Sequence, residues 1–110
     1  MRIIPLKLLA RLFPAVRRDL AIVTPEETPW RTLERLARID APELEEVRFE
    51  SVYRGAGLPE GTKSVAFALV FRSAAGSLTD EEANRFRDRA LKAITDAIPG
   101  AALRGAGDNA

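Results

Sequence analysis

Residues 63–72 alternate in side-chain size, and this pattern constrains the fold more than any other part of the chain. In an extended strand, every second side chain lies on the same face. One face of this strand would carry Val65, Phe67, Leu69 and Phe71. The other face, here called the open face, would carry Ser64, Ala66, Ala68 and Val70. The pattern predicts a strand that packs its larger side chains into a core on one side only.

Two segments with apolar side chains at helical spacing complete this core. The first is predicted to begin at Thr28 as N-cap, with Pro29 at the first helical position, where a missing N–H costs nothing. Its apolar side chains are Trp30, Leu33, Leu36 and Ala37. The second is predicted to begin at Thr79, which can form a capping box with Glu82. Its apolar stripe consists of Ala83, Phe86, Ala90, Ile94 and Ala97. Both helices are expected on the face that bears Phe67.

The order of these segments predicts an α+β fold. Strands are expected at residues 19–23, 44–53, 63–72 and 102–104, with one helix after the first strand and one after the third. With right-handed crossovers, β-α-β-β-α-β gives the ferredoxin-like arrangement, a four-stranded antiparallel sheet with both helices on one face. We expect this domain to occupy residues 13–105. Residues 1–12 would form an N-terminal lead-in and residues 106–110 a flexible tail.

The composition argues against catalysis. The chain contains no cysteine and no histidine, so it lacks disulfides, thiolate metal ligands and the most common general base. We therefore predict no catalytic residue, no metal site and no cofactor. The net charge of +1 does not by itself point to nucleic acid. However, 14 of the 17 basic residues are arginine, which suits phosphate contacts and stacking on bases.

Three segments resemble a known family. They are FPAVRRDLAIV at residues 13–23, VYRGAGLPEGTKSVAFALVFR at 52–72 and SLTDEEANRF at 77–86. In this order they resemble the C-terminal anticodon-binding domain of the bacterial phenylalanyl-tRNA synthetase beta subunit, without the synthetase's catalytic parts. The resemblance implies a ferredoxin-like fold and a non-enzymatic module that binds tRNA, with tRNA(Phe) as the first candidate, or another structured RNA. No segment of the sequence approaches the length needed to span a membrane, so the expected location is the cytoplasm.

The resemblance also implies a site on the open face. In the family, an aspartate and a tyrosine of the second strand and a serine of the third engage the first anticodon base. The tyrosine corresponds to Tyr53 and the serine to Ser64, but Ser51 stands in place of the aspartate. A serine hydroxyl can accept only one guanine N–H well, so this change should relax guanine preference by roughly 1–3 kcal/mol. Glu50 stands where the family has an aromatic residue and adds negative charge beside the expected RNA path, which also works against faithful anticodon reading.

Basic residues near these positions are candidates for phosphate contacts. Arg17 and Arg18, followed by Asp19, match the family motif, and the resemblance implies that one of the two arginines contacts RNA. Asp19 is expected to pair with a neighbouring arginine and brace the strand. Arg54 and Lys63 adjoin Tyr53 and Ser64 in the sequence and complete the predicted RNA-binding set. Arg104, near the C-terminus, is a similar candidate.

Glu50 poses a structural problem, since the family's Phe-Asp-Val-Tyr appears here as Glu50-Ser51-Val52-Tyr53. If Phe49, Ser51 and Tyr53 shared the open face, strict alternation would send Glu50 into the core. A buried, unpaired carboxylate is too costly to expect. We therefore predict either a β-bulge between Phe49 and Val52 or a basic partner for Glu50.

Two other functions remain open at this point. A protein-interaction module could use the same open face or an edge strand to dock on a synthetase or another partner. A small-molecule-binding domain is also compatible with the fold. An exposed apolar face around Ala66, Ala68 and Val70 would favour a protein partner, whereas a contiguous positive surface beside Tyr53 would favour RNA.

Overall fold

The computed structural model describes residues 13–73 and 75–105. The predicted lead-in and tail, residues 1–12 and 106–110, lie outside the described residues. The strands are β1 Val16–Pro25, β2 Leu44–Tyr53, β3 Thr62–Phe71 and β4 Ala102–Leu103. The helices are α1 Trp30–Ala37 and α2 Asp80–Ala97. The β-α-β-β-α-β order predicted from the sequence is therefore confirmed.

The strands form one antiparallel sheet in the order β2-β3-β1-β4. The two central strands, β1 and β3, pair along their whole length, from Val16 opposite Phe71 to Pro25 opposite Thr62. The short strand β4 pairs with β1 at Ile22 and Val23. This strand order is that of the ferredoxin-like fold, so the predicted fold is confirmed.

The core lies between the sheet and the two helices, on the face predicted from β3. Phe67 and Phe71 are each 1 % exposed, and Leu69 is fully buried. Helix α1 contributes Leu33 and helix α2 contributes Ile94, both fully buried. Burying side chains of this size stabilises the fold by roughly 1.5–3 kcal/mol each. The remaining core residues are Leu20, Ile22, Ala37, Leu44, Val47, Val65 and Ala90.

The prediction for the start of α1 is wrong. The helix begins at Trp30 with Pro29 as its N-cap, and no side chain caps its first turn. The Thr28 side chain is buried, and the Thr24 hydroxyl donates a hydrogen bond of 2.9 Å to the Thr28 hydroxyl. This bond joins the end of β1 to the residues before the helix. Thr28 therefore braces the connection rather than capping the helix.

Helix α2 begins as predicted and ends with one difference. The capping box is confirmed, because the Glu82 backbone N–H donates to the Thr79 hydroxyl at 3.1 Å and the Thr79 N–H donates to the Glu82 carboxylate at 3.0 Å. Ala97, predicted to face the core, is exposed. Ile98 packs against the core in its place, just beyond the last helical residue. No helix among the described residues has both the length and the apolar character needed to cross a membrane.

Strand β2 departs from regular alternation at Glu50, where we predicted a bulge or a basic partner because strict alternation would bury the carboxylate. The register shifts between Phe49 and Ser51, which marks a β-bulge at Glu50. Arg17 also donates a hydrogen bond to the Glu50 carboxylate. Both solutions that we predicted for Glu50 are thus present. The assumption that Phe49 shares the open face is wrong, because Phe49 lies opposite Phe67 and its ring contacts Trp30 of α1, with ring centroids 5.4 Å apart.

The open face is the sheet surface opposite the helices. Strand pairing places three rows of side chains on it. They are Arg17, Asp19, Ala21 and Val23 of β1; Ser64, Ala66, Ala68 and Val70 of β3; and Glu46, Arg48, Ser51 and Tyr53 of β2. Its centre is made of small side chains and its rim of charged ones.

Candidate nucleic-acid interface

Tyr53 is the large aromatic side chain of the open face. It is the last residue of β2, and the residue is 40 % exposed. Its hydroxyl donates a hydrogen bond of 2.8 Å to the Ala56 carbonyl oxygen. Gly55 permits this turn, since its φ of 131° is one that L side chains rarely adopt. The ring is therefore held in place at the edge of the sheet while part of it remains accessible.

Arg104 lies over the Tyr53 ring. Its guanidinium carbon is 4.6 Å from the ring centroid, within the range of a cation–π contact. The Arg104 backbone N–H donates to the Ala21 carbonyl oxygen at 2.8 Å, which extends the pairing of β4 with β1 by one residue. Because β4 and β2 are the two outer strands, the Arg104 side chain spans the open face to reach Tyr53. A planar, positively charged group thus stacks on the candidate base-binding ring.

Arg17 is also on the open face, at the opposite end from Tyr53. Its Nε donates to the Asp19 carboxylate at 3.0 Å, and its terminal nitrogen contacts both Asp19 and Glu50. The hydrogen bond with Asp19, followed by the negative charges of Asp19 and Glu50, raises the pKa of Arg17 above its usual value. The expected pairing of Asp19 with a neighbouring arginine is confirmed. Arg17 remains about half exposed, so a phosphate could still approach it.

The two candidate serines differ in accessibility. Ser51 is exposed and lies opposite Ala66. Ser64 is on the open face too, between Tyr53 of β2 and Val23 of β1, but it is only 2 % exposed. The sequence predicted their common face correctly. It did not reveal that neighbouring side chains cover Ser64, since that depends on packing across three strands.

Arg18 lies on the helical side of the sheet, away from Tyr53. Its Nε donates to the Asn84 side chain at 2.9 Å and its terminal nitrogen to Asp80 at 3.1 Å. A further bond of 2.9 Å reaches the Arg17 carbonyl oxygen. The side chain is 21 % exposed. Arg18 therefore attaches the first turns of α2 to β1, and the structure does not bring it together with the open-face candidates.

Arg54 and Lys63 form a separate cluster with Glu26. Arg54 donates a hydrogen bond to the Glu26 carboxylate, and the Lys63 Nζ lies 4.0 Å from it. The hydrogen bond from Arg54 is the main cause that lowers the pKa of Glu26. Lys63 lies opposite Thr24, a fully buried residue of the helical side, and its side chain is only 12 % exposed. These two cations therefore do not extend the surface around Tyr53 across the open face.

The charges of the open face are largely paired. Arg48, which the sequence-based site omits, contacts Glu46 at 2.7 Å. Arg17 is shared between Asp19 and Glu50. Arg104 is the cation that adjoins Tyr53 directly. The positive charge beside the ring is thus concentrated in one guanidinium, and a phosphate that binds Arg17 or Arg48 has to compete with carboxylates.

Comparisons with known proteins agree with this architecture. Residues 12–104 match the family described as the ferredoxin-fold anticodon binding domain. The chain is 44 % identical over 93 residues to the phenylalanine–tRNA ligase beta subunit of Corynebacterium jeikeium, which covers 84 % of this chain and 11 % of that protein. It is 39 % identical over 93 residues to the same subunit of Clostridium tetani, which covers 84 % of this chain and 12 % of that protein.

The chain therefore spans only about a tenth of the length of the curated relatives it matches. The match includes β1 to β4 and both helices, hence the whole described sheet and its open face. On this similarity, the chain belongs to the ferredoxin-fold anticodon binding domain family.

Proposed function

We propose that this chain binds tRNA or another structured RNA through its open face, without catalysing a reaction itself. The observation that carries the proposal is the exposed Tyr53 ring with the Arg104 guanidinium stacked on it. Aromatic rings and arginine planes are the groups on which proteins stack unpaired bases. Family membership supports the same choice, because the family is defined by anticodon binding.

In this proposal, a base stacks on Tyr53 and arginines contact the phosphates. Arg104 is already at the ring, so it either moves aside for the base or stacks on the base's other side. Arg17 and Arg48 lie further along the face and contact the adjoining backbone after exchanging a carboxylate for a phosphate. Because losing the ion pair with the carboxylate offsets part of the free energy gained from the phosphate, we expect weak binding that depends strongly on salt.

The ligase activity in the names of the relatives is carried by proteins of which the matched segment is only 11 to 12 %. We assign this chain the binding role only, without cofactor or metal, and place it in the cytoplasm with its RNA. Whether the RNA is tRNA(Phe) is decided by comparison with other tRNAs.

A protein partner is the second candidate, and one observation favours it. Phe49 is 45 % exposed on the outer strand β2, beside Trp30. A partner could cover this aromatic pair while docking along β2. The open face itself gives this alternative less support, because Ala68 is fully buried and Ala66 and Val70 are half-buried.

A filter-binding titration tests the proposal. Total tRNA and purified tRNA(Phe) are titrated with the protein at a low and a physiological salt concentration. We expect binding at low salt that falls steeply as salt rises, because phosphate contacts release counterions. No binding of either tRNA at low salt would reject the RNA proposal and leave the protein partner as the leading candidate.

A further inference from the structure

The outer strand β2 carries an exposed aromatic pair, Phe49 and Trp30, on the helical side. The Phe49 ring lies 5.4 Å from the Trp30 ring, and Trp30 lies 5.2 Å from the buried ring of Phe67. The three rings thus lead from the surface into the core. Strand β2 also ends the sheet, and its outer edge pairs with no other strand among the described residues. Proteins commonly cover such an edge with a helix or another segment of chain.

Phe49 differs from the other large apolar side chains at the surface. Three are exposed in the part of the chain that the structure describes, namely Ile39, Phe49 and Tyr53. Tyr53 belongs to the open face and is in contact with Arg104. Ile39 lies between two charged residues just beyond the end of α1. Phe49 is therefore the exposed side chain that offers a covering segment a continuous apolar surface.

Residues 1–12 have the composition of a segment that could cover this surface. Six of the twelve are isoleucine or leucine, three are arginine or lysine, and none is acidic. Apolar side chains at this density gain free energy when they leave water. The family match begins at residue 12, so nearly all of this segment lies outside it. Its role is therefore a question about this chain and not about the family.

The segment joins the described fold beside the start of β2. The Phe13 carbonyl oxygen accepts a hydrogen bond of 2.7 Å from Arg72, and the same guanidinium donates to the Glu45 carboxylate at 3.1 Å. Phe49 lies five residues beyond Leu44, the first residue of β2, which corresponds to about 17 Å. Twelve residues can span up to about 40 Å. The segment is therefore long enough to pass along β2 and reach the aromatic pair.

The charges around the aromatic pair suit a basic segment. Strand β2 carries Glu45, Glu46 and Glu50 against Arg48, a net charge of −2. On α1, Glu34 comes one turn after Trp30, and its carboxylate is 3.9 Å from its ion-pair partner. The exposed arginines 31 and 35 lie further round the helix, away from Trp30. Exposed ion pairs contribute little, so these carboxylates can exchange partners at small cost.

We propose that residues 1–12 return along the outer edge of β2 and cover Phe49 and Trp30. Their isoleucine and leucine side chains replace water on the two rings, and their basic side chains lie near Glu34 and the glutamates of β2. This surface belongs to the helical side of the sheet, so the open face stays free for RNA. The same docking closes the aromatic pair to a separate protein partner.

Paramagnetic broadening of NMR signals tests this placement in the full chain. The chain has no cysteine, so Arg2→Cys provides a single site for a nitroxide label. In isotope-labelled protein, the nitroxide should broaden the Phe49 amide and the Trp30 indole N–H signals. The amide of Leu103, in β4 at the opposite edge of the sheet, should be broadened much less. Equal broadening at the three positions, or none, would overturn the proposal.

A second measurement separates docking from the effect of a label that is merely tethered nearby. Leu6→Asp combined with Leu8→Asp keeps the tether but removes two apolar side chains, so the broadening at Phe49 should fall toward that at Leu103. Trp30 is the only tryptophan of the chain. The same double substitution should therefore shift tryptophan emission to longer wavelength and increase its quenching by acrylamide. Ile39→Asp is the matched control, because it changes a similarly exposed apolar residue and should leave the emission unchanged.

Two further outcomes would reject the docking. The first is an unshifted tryptophan emission in the double variant. The second is broadening of Phe49 in an isotope-labelled chain by a separate nitroxide-labelled chain, because the segment would then cover a second copy. Neither result bears on RNA binding, which the tRNA titration measures independently. If residues 1–12 leave the aromatic pair uncovered, that pair remains available to a protein partner.

Discussion

Arg104 and Tyr53 are in contact, with 4.6 Å between guanidinium carbon and ring centroid, although they belong to opposite edges of the sheet. Arg104 follows the outer strand β4, and Tyr53 ends the other outer strand, β2. Their side chains thus meet over the central strands. In a protein that binds unpaired bases, this contact marks the ring face on which a base would stack.

The first prediction concerns Tyr53. Tyr53→Ala should weaken binding of tRNA by roughly 1–3 kcal/mol whichever base occupies the site, because stacking does not depend on base identity. Phe49→Ala is the matched control, since Phe49 is similarly exposed on the same strand but belongs to the helical side. Equal losses in the two variants, measured by filter binding, would contradict stacking on Tyr53.

The second prediction concerns Arg104 and salt. If Arg104 contacts a phosphate in the complex, Arg104→Gln should weaken binding and reduce the slope of log affinity against log salt concentration by about one. Arg38→Gln is the control, because Arg38 is exposed at the end of α1, on the helical side. An unchanged slope for Arg104→Gln would assign Arg104 to base stacking alone.

The third prediction separates Arg17 from Arg18. Arg18→Ala should lower the free energy of unfolding by about 1 kcal/mol or more, because it removes charged hydrogen bonds to Asn84 and Asp80 from a side chain that is mostly buried. Arg17→Ala should change stability less, since its ion pairs are exposed. Urea denaturation gives both values.

For RNA binding, the order of the two effects should be reversed, so that the substitution of Arg17 has the larger effect. At a temperature where both variants are folded, Arg17→Ala should bind tRNA more weakly than Arg18→Ala. Strong loss of binding in folded Arg18→Ala, with Arg17→Ala unaffected, would mean that the helical side of β1 contacts the RNA.

The sequence predicted the sheet and its helical face because the relevant signals are local. The contrast between Phe67 and Ala66 repeats along one strand, and the Thr79–Glu82 capping box is complete within four residues. The prediction for Thr28 failed because a hydroxyl that can cap a helix can equally pair with another hydroxyl. Here the hydroxyl that pairs with Thr28 is that of Thr24, near the end of β1.

The site was harder to predict than the fold, because it depends on contacts between distant segments. Arg17 and Arg18 are equivalent in the sequence, yet Arg18 donates hydrogen bonds to Asp80 and Asn84, which lie 62 and 66 positions further along the chain. The face of Phe49 depended on where the bulge falls, and strict alternation gives the wrong side once a residue is added. Predicting that Arg104 lies over Tyr53 would have required knowledge of the strand order, which places β4 and β2 at opposite edges of the sheet.

The fourth prediction concerns pH. Hydrogen bonds from the Thr79 backbone and hydroxyl lower the pKa of Glu82, and Arg54 lowers that of Glu26. A carboxyl whose pKa is lower in the folded state stabilises the fold above its unfolded pKa of about 4.5, and this contribution disappears as pH falls through the folded pKa. Unfolding free energy should therefore decline below about pH 4.5.

Glu82→Gln tests this assignment. Glutamine can keep the capping box but does not titrate, so the decline of stability in acid should be shallower than in the wild type. Between pH 6 and 8 stability should stay nearly constant, because the chain has no histidine. These curves are obtained by thermal denaturation at a series of pH values.

The last prediction concerns Ser51, which is exposed opposite Ala66 and next to the bulge. Ser51→Asp adds a carboxylate to the open face two residues from Tyr53, where it can accept both guanine donors. This substitution should raise the preference for a hairpin RNA with an unpaired guanine in its loop over the same hairpin with adenine there by roughly 1–3 kcal/mol, since the serine hydroxyl accepts only one guanine N–H well. Ser51→Asn is the control, because asparagine has nearly the same shape as aspartate but offers only one acceptor oxygen. If Ser51→Asp and Ser51→Asn leave the ratio of the two affinities equal, a base at Tyr53 does not direct its Watson–Crick edge along β2 toward the bulge.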